Sequence, residues 1–223
     1  MLTDKTERME KRIVSGLTAA DIRAAVAAVL EREQLPQIVQ LGHPVLRQAA
    51  VPYDGQLGDA ELRALLELMR RTMHAAPGVG LAAPQIGIPV RLAVMEDPAT
   101  VGPEVADARE RQPLPYFAAI NPQVRAIGEH TASFFEGCLS FAGYQAVVER
   151  HRKVELQYLR PDGTAMTEEF TGWPARIVQH ETDHLDGVVY IDKAIPRSLC
   201  TNAEYSSRWA QPTIERARRE LRF

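Results

Sequence analysis

The chain has 223 residues, 45% hydrophobic and 25% charged, a composition typical of one globular domain large enough to bury a core. Its net charge of −3 is too small to indicate a nucleic-acid partner or a charged membrane surface. No apolar run approaches the roughly 18 residues that cross a bilayer, and the N-terminus lacks an apolar signal region, so we expect a cytoplasmic protein that binds neither DNA nor membranes.

The first predicted elements are two helices. Thr18 and Asp21 form a capping-box pattern, which predicts that a helix begins there. A second helix is predicted from about Asp59 to a point ahead of Pro77. Its core-facing side chains are expected to be Leu62, Leu65, Leu66, Met69 and Met73. Residues 1–16 are expected to be a flexible extension.

Residues 78–87 form a glycine-containing run with small residues and a single amide side chain, Gln85. The run lacks the Lys-Ser/Thr ending of a phosphate-binding loop and the third glycine of a dinucleotide-binding fingerprint. Phosphate binding is therefore not supported, and the run alone indicates only a tight turn.

Short β-favouring segments follow, and they are joined by tight turns. Strands are predicted at 90–95, 116–120, 146–149, 154–159 and 165–171, with a Pro-Asp-Gly turn between the last two. Residues 97–115 contain four prolines and are expected to form a loop. This clustering of strands with antiparallel turns indicates an α+β fold.

Cys138 lies in the sequence Glu-Gly-Cys-Leu-Ser, residues 136–140. The only other cysteine, Cys200, is too far away in the sequence to form a zinc knuckle with it. An isolated cysteine is most often a small buried hydrophobic residue, so Cys138 alone does not indicate a metal site.

The segment from His180 to His184 has the spacing of a helical metal site. On a helix the two histidines lie about 40° apart and one turn from each other, so both can reach one ion. Glu181 can lean over that ion as a general base. The apolar residues Trp173 and Ile177 share this arc, which predicts that the histidines face the interior.

The three runs together, in this order, resemble the peptide deformylase family. That family carries Gly-x-Gly-apolar-Ala-Ala-x-Gln, then Glu-Gly-Cys-apolar-Ser, then a helical segment that starts His-Glu and ends Asp-His. This sequence shows them at 78–85, 136–140 and 180–184, and 41–46 is similar to an earlier family segment. The resemblance implies small antiparallel β-sheets wrapped around a central metal-binding helix. It also implies a hydrolase that removes the formyl group from N-formylmethionine of newly synthesised polypeptides.

The resemblance spans about residues 38–196, and we expect a single catalytic domain over 17–196. Residues 197–223 would then be a C-terminal extension with a short helix between 212 and 223. Docking of that helix on the domain is the favoured interpretation. The alternative is a transient ribosome contact, because four arginines lie off its apolar side.

The resemblance implies that Cys138, His180 and His184 hold one divalent metal ion, leaving a fourth position for water. This donor set suits both zinc and ferrous iron. The resemblance favours Fe(II), which Zn(II) or Ni(II) could replace.

The resemblance also assigns roles around the metal. Glu181 would exchange protons with the water and the leaving amine. The Gln85 side-chain amide and the Leu139 backbone N–H would stabilise the oxyanion. The residues expected to bind the substrate are Val79, Gly80, Phe134, Trp173 and Ile177.

Two further expectations concern the surroundings of the metal. Asp183 lies off the metal arc and is expected to anchor the helix to the strand that carries Arg150. Arg176 flanks the expected substrate pocket and is interpreted as structural.

Two other functions stay open. A zinc endopeptidase shares the two-histidine helix but takes a third histidine or glutamate from further along the chain, and none follows until Glu204. A ribosome-associated binding module without catalysis would be expected to have lost Cys138, Gln85 or Glu181, and all three are present.

Overall fold

The computed structural model of the protein describes residues 16–223. The expected flexible extension at 1–16 lies outside the described residues, apart from Gly16. Helices of seven or more residues are α1 (Ala19–Leu30), α2 (Asp59–Ala75), α3 (Pro103–Arg109), α4 (Gly172–Leu185) and α5 (Glu215–Leu221). The strands are β1 (Gly80–Ala82), β2 (Leu92–Asp97), β3 (Leu114–Ala126), β4 (Thr131–Cys138), β5 (Phe141–His151), β6 (Lys153–Leu159), β7 (Ala165–Thr171) and β8 (Cys200–Thr201).

The strands form two antiparallel sheets with α4 between them. One sheet has the order β1-β2-β3-β6-β7, and the other has the order β4-β5-β8. Helix α4 contacts β1, β2, β3, β6 and β7 of the larger sheet and β5 of the smaller one. The expected α+β fold, with small antiparallel sheets around a central helix, is confirmed.

The two N-terminal helices form as predicted. Thr18 caps α1, and its hydroxyl accepts a hydrogen bond from the Asp21 N–H while the Asp21 carboxylate accepts from the Thr18 N–H. All five apolar side chains predicted for the inner face of α2 are buried. They pack against α1, β1 and β2, so these helices cover one side of the larger sheet.

The strand and loop predictions were incomplete in four places. Strands β1, β4 and β8 were not among the predicted strands. Residues 97–115 do not form a loop throughout, because α3 lies within them and β3 begins at Leu114. Gly172, at φ +66°, lets this insertion approach the start of α4, since an added Cβ there would lie 2.4 Å from the Cβ of Glu110.

The C-terminal residues pack against the smaller sheet. Ile214 and Ala217 are buried and form a cluster with Phe135, Val147 and Trp209. The predicted short helix is present as α5, and its apolar side docks on the domain. The expected domain limits and the ribosome contact stay predictions. Among residues 16–223, no helix combines the length and the apolar character needed to cross a membrane.

Candidate metal centre and substrate cleft

Helix α4 places His180 and His184 one turn apart, with their ring centroids 5.1 Å from each other. The helix ends at Leu185, two residues before Gly187, which has φ +75°. The histidines therefore lie in its last two turns. His184 is 1% exposed and reaches into the protein interior.

Cys138 comes from the end of β4 and meets these histidines across the gap between the sheets. Its Sγ lies 3.2 Å from His184 Nε2. One ligand atom from each of Cys138, His180 and His184 lies within 4.8 Å of the others. The structure thus brings together three donors that are 42 and 46 residues apart in the sequence.

This donor set fits a divalent cation. A thiolate and two imidazoles are ligands that zinc and ferrous iron accept, and three protein donors leave one tetrahedral position for water or substrate. Burial lowers the pKa of His184 well below its usual value, so its ring is neutral, as a ligand must be. Although burial opposes it, contacts with Cys138 and Glu136 hold the pKa of His180 well above its usual value. A bound cation would therefore displace a proton from this group.

Glu136 orients His180 and ties the centre to the smaller sheet. Its Oε2 lies 2.9 Å from His180 Nδ1, which leaves Nε2 to face the other donors. Arg150 donates to both carboxylate oxygens of Glu136, at 2.6 and 2.9 Å, and Arg176 Nη1 donates to Oε1 at 2.6 Å. Burial alone would raise the pKa of Glu136, but Arg150 and His180 hold it well below its usual range. The carboxylate therefore stays charged.

Arg150 extends this network to the far side of α4. Its Nη1 donates to Asp183 Oδ2 at 2.8 Å, which confirms the expected anchor between the helix and this strand. Lys193 Nζ donates to the other Asp183 oxygen at 2.6 Å. Arg176 also donates to the carbonyls of Val148 and Ala132, at 3.0 and 2.5 Å, so its side chain cross-links β4, β5 and α4. This agrees with its interpretation as structural.

Glu181 lies beside the donors and has a free oxygen. It is 5% exposed, and its Oε2 has no hydrogen-bond partner within residues 16–223. Burial raises the pKa of Glu181 to about 7. A Cβ on Gly80 would lie 2.2 Å from Glu181 Oε1, so any larger residue at position 80 would clash with the Glu181 carboxylate. The structure thus gives Gly80 a physical role that was not predicted from the sequence.

Gln85 is held rigidly against the same centre. Its Oε1 accepts from the Ala82 N–H at 2.8 Å, which fixes the amide so that Nε2 faces Ser140 Oγ at 3.3 Å and Cys138 Sγ at 3.7 Å. Leu139 follows Cys138 directly, and its carbonyl accepts from Gln40 Nε2 at 2.9 Å. The Gln85 amide therefore lies beside Cys138, and the Leu139 N–H is adjacent to Cys138 in the chain.

These groups open onto a cleft of about 820 Å³. Four of the five expected substrate-binding residues line it: Val79, Gly80, Trp173 and Ile177. Phe134 is placed differently. It contacts Trp173 edge to face, with ring centroids 6.1 Å apart, while its neighbour Phe135 lines the cleft.

Sequence reasoning missed three features of the site. Glu136 was noticed as part of a motif without a role, and its bonds to Arg150 and Arg176 join residues 14 and 40 positions apart. Tyr190, whose ring stacks on His180 at 6.0 Å between centroids, carried no signal in the sequence. The contribution of the C-terminal segment, through Asn202 and Tyr205 in the cleft wall, was not expected either.

The Glu136 network predicts a large loss of stability when the carboxylate is neutralised. Glu136→Gln keeps the shape but leaves two buried guanidinium groups facing an amide, and breaking such a buried pair costs about 3–5 kcal/mol. The free energy of unfolding in urea measures the effect. Glu169→Gln is the control, because it breaks the exposed pair with Lys153, worth about 0–1 kcal/mol. Equal losses in the two variants would contradict a special role for Glu136.

The chain is similar to known proteins over most of its length. Residues 35–199 match the family model for polypeptide deformylase. The chain is 53% identical over 217 residues to peptide deformylase 3 of Streptomyces avermitilis, covering 94% of this chain and 96% of the relative. It is 55% identical over 186 residues to peptide deformylase 1 of Streptomyces coelicolor, covering 83% and 85%.

Solved structures show the same fold. Peptide deformylase from Thermotoga maritima is 36% identical and superposes with a TM-score of 0.62, covering 74% of this chain and all of that one. A class I type b peptide deformylase from Acinetobacter baumannii, solved with bound Met-Ala-Ser, is 30% identical with a TM-score of 0.65, covering 73% and 99%. Since the family match includes all three motifs and most of the chain, this chain belongs to the polypeptide deformylase family.

Proposed function

We propose that Cys138, His180 and His184 hold one divalent cation and that Glu181 is the general base with which this deformylase hydrolyses N-formylmethionyl peptides. The observation that carries this proposal is the convergence of the three donors within 4.8 Å beside a buried carboxylate with a free oxygen. The cluster opens onto the cleft, so a substrate can reach it. The reaction, removal of the formyl group from new polypeptides, is that of the family.

We propose Fe(II) as the metal, on the family resemblance, with Zn(II) or Ni(II) able to replace it. A divalent cation at these donors lowers the pKa of a water ligand toward neutrality and polarises a carbonyl. The protein's own part is to fix the donors. Glu136 fixes the ring of His180, and the Ser140 N–H donates to Cys138 Sγ at 3.4 Å, which holds the sulfur in place.

Glu181 moves the proton. Its free Oε2 accepts a proton from the attacking water and returns it to the leaving amine of methionine. Burial keeps this carboxylate basic enough to accept a proton near neutral pH. Gly80 allows the carboxylate to occupy this position without a steric clash.

Gln85 and Leu139 serve as oxyanion donors. The Gln85 amide is already oriented by Ala82, so its N–H groups need not reorganise when charge develops on the formyl oxygen. The Leu139 N–H lies in the chain directly after Cys138 and adds a second donor. Neither donor brings a charge that competes with the thiolate for the cation.

The methionine side chain binds in the apolar part of the cleft. Val79, Trp173 and Ile177 line it. Gly80 has no side chain and so leaves room for the peptide backbone to pass. Phe134 supports this pocket by packing against Trp173. The Acinetobacter baumannii relative was solved with bound Met-Ala-Ser, which is the kind of peptide that deformylation leaves.

We propose that the enzyme acts in the cytoplasm and contacts the ribosome transiently.

Cys138→Ala should remove the bound metal and the activity together, because two imidazoles bind a divalent cation far more weakly than a set that includes a thiolate. Elemental analysis of the purified variant measures this. Cys200→Ala is the matched control, since Cys200 lies outside the cluster, and it should retain metal. Near-stoichiometric metal in Cys138→Ala would show that Cys138 is not a ligand.

Glu181→Gln should separate catalysis from metal binding. The amide keeps the shape of the side chain but cannot accept a proton, so kcat should fall by at least about 10²-fold while the metal content stays near one per chain. Steady-state kinetics with a formylated peptide and metal analysis on the same sample test this. Wild-type turnover in the variant would disprove the role of Glu181 as general base.

The substrate assignment predicts a strong preference for formyl over acetyl groups. An acetyl group carries one more methyl than a formyl group, and residues 78–80, which line the cleft, form a wall that would displace it from the attack position. We expect kcat/KM for formyl-Met-Ala peptides to exceed that for acetyl-Met-Ala peptides by more than the roughly 200-fold that one carbon is worth in a yielding pocket. The assay is run without oxygen on protein loaded with Fe(II) or Ni(II). Preferential cleavage of an internal peptide bond would favour the endopeptidase instead, and no hydrolysis of any peptide would favour the binding module.

A further inference from the structure

One end of the cleft is rich in arginine, and we call it the arginine end. Arg109, Arg111 and Arg176 place their guanidinium carbons 5.3, 5.3 and 5.7 Å from the ring centroid of Trp173. All three side chains line the cleft. The charge of this end depends on how each guanidinium is paired.

Two of the three arginines have carboxylate partners. Arg111 forms a bidentate pair with the buried Asp97, at 2.8 and 2.9 Å. Arg176 is paired with Glu136. Arg109 forms no ion pair with any carboxylate among residues 16–223. Among these three arginines, Arg109 is therefore the one whose positive charge has no carboxylate partner within residues 16–223.

Arg109 is held in place by neutral groups. Its Nη2 donates to the carbonyl of Gln211 at 2.9 Å and to the Tyr205 hydroxyl at 3.4 Å, and its Nε donates to the carbonyl of Pro212 at 3.4 Å. Its Nη1 has no hydrogen bond to residues 16–223. Arg109 is 8% exposed as a residue, and a charge so far removed from water gains strongly from an anionic partner.

The backbone around Arg109 is held by contacts with helix α4. Helix α3 ends at Arg109, and the next residue, Glu110, accepts a hydrogen bond from the Trp173 N–H at 3.3 Å. Gly172 allows this close approach of the insertion to α4. The guanidinium also lies 5.6 Å from the Phe134 ring centroid. Because both α3 and the C-terminal segment hold it, the guanidinium is preorganised for a ligand.

The distance from the metal-ligand cluster selects the part of the substrate that can reach Arg109. Trp173 and His180 are seven residues apart on one helix, a rise of about 10 Å. Because the methionine side chain occupies the apolar pocket that Trp173 also lines, the arginine end is left for residues after the first. An extended peptide advances about 3.3–3.6 Å per residue, so a chain whose formyl group lies at His180 comes within reach of the arginine end near its second or third residue.

We propose that Arg109 is a specificity-determining residue that binds the side-chain carboxylate of Asp or Glu at the second or third position of the formylated peptide. The proposal rests on the proposed function, because it takes the formyl group to lie at the Cys138, His180 and His184 cluster. It gives α3 and the C-terminal segment a part in substrate selection.

Four peptides with a C-terminal amide test this: formyl-Met-Glu-Ala-Ala and formyl-Met-Ala-Glu-Ala, each beside the same peptide with Gln in place of Glu. The blocked C-terminus leaves the side chain as the only carboxylate that differs within a pair. In at least one pair we expect kcat/KM for the Glu peptide to exceed that for the Gln peptide by about tenfold, a preference that decreases with added salt. In Arg109→Gln the ratio should fall to about one, and Arg109→Lys should keep part of it.

Arg125→Gln is the charge-matched control, because Arg125 is 76% exposed and lies outside the cleft lining, and it should keep the wild-type ratio. Each ratio is measured on one sample, so a lower folded fraction in Arg109→Gln does not change it. Equal rates within both pairs in the wild type, or an unchanged ratio in Arg109→Gln, would overturn the proposal while deformylation itself persists. Failure of the metal-loaded wild type to deformylate any of the four peptides would overturn the proposed function and this inference with it.

Discussion

The buried carboxylate of Glu136 is the interaction on which the rest of the site depends. It binds Arg150, Arg176 and His180 at once, so a single side chain at the end of β4 connects β5 and two turns of α4. Three positive or protonatable partners keep it ionised in a place where burial alone would neutralise it. The orientation of His180, and with it the geometry of the donor cluster, follows from this arrangement.

The same packing explains why the chemistry sits between two sheets. Helix α4 contributes the histidines and Glu181, the smaller sheet contributes Cys138, and the segment before β2 contributes Gln85 and the close approach at Gly80. None of these segments alone has more than two donors. The site exists because α4 packs between the larger sheet and the smaller one. The C-terminal segment forms part of one end of the cleft, where its carbonyl groups accept hydrogen bonds from Arg109.

Much of the fold and of the candidate site could be predicted because the signals are local. The capping pair at Thr18 and Asp21 and the apolar face of α2 depend on contacts within four residues, and both appear as predicted. The edge strand β8 has two residues, too few to show a period, and β4 mixes polar and apolar residues without clear alternation. The four prolines of residues 97–115 favour a loop, but Pro103 occupies the first turn of α3, where a helix does not need the missing N–H.

The sequence by itself determined the types and local spacing of the reactive groups: two histidines one turn apart with a glutamate beside them, a cysteine after glycine, and a glutamine after a glycine run. Tertiary structure decided how they are coupled. The Glu136 carboxylate shared by three partners, the contact of Gly80 with Glu181, the position of Phe134 behind Trp173 and the placement of Arg109 against the C-terminal segment all join residues far apart in the chain. Such contacts follow from sheet order and helix packing, which no local pattern encodes, because the free energy that selects them comes from burying many side chains together.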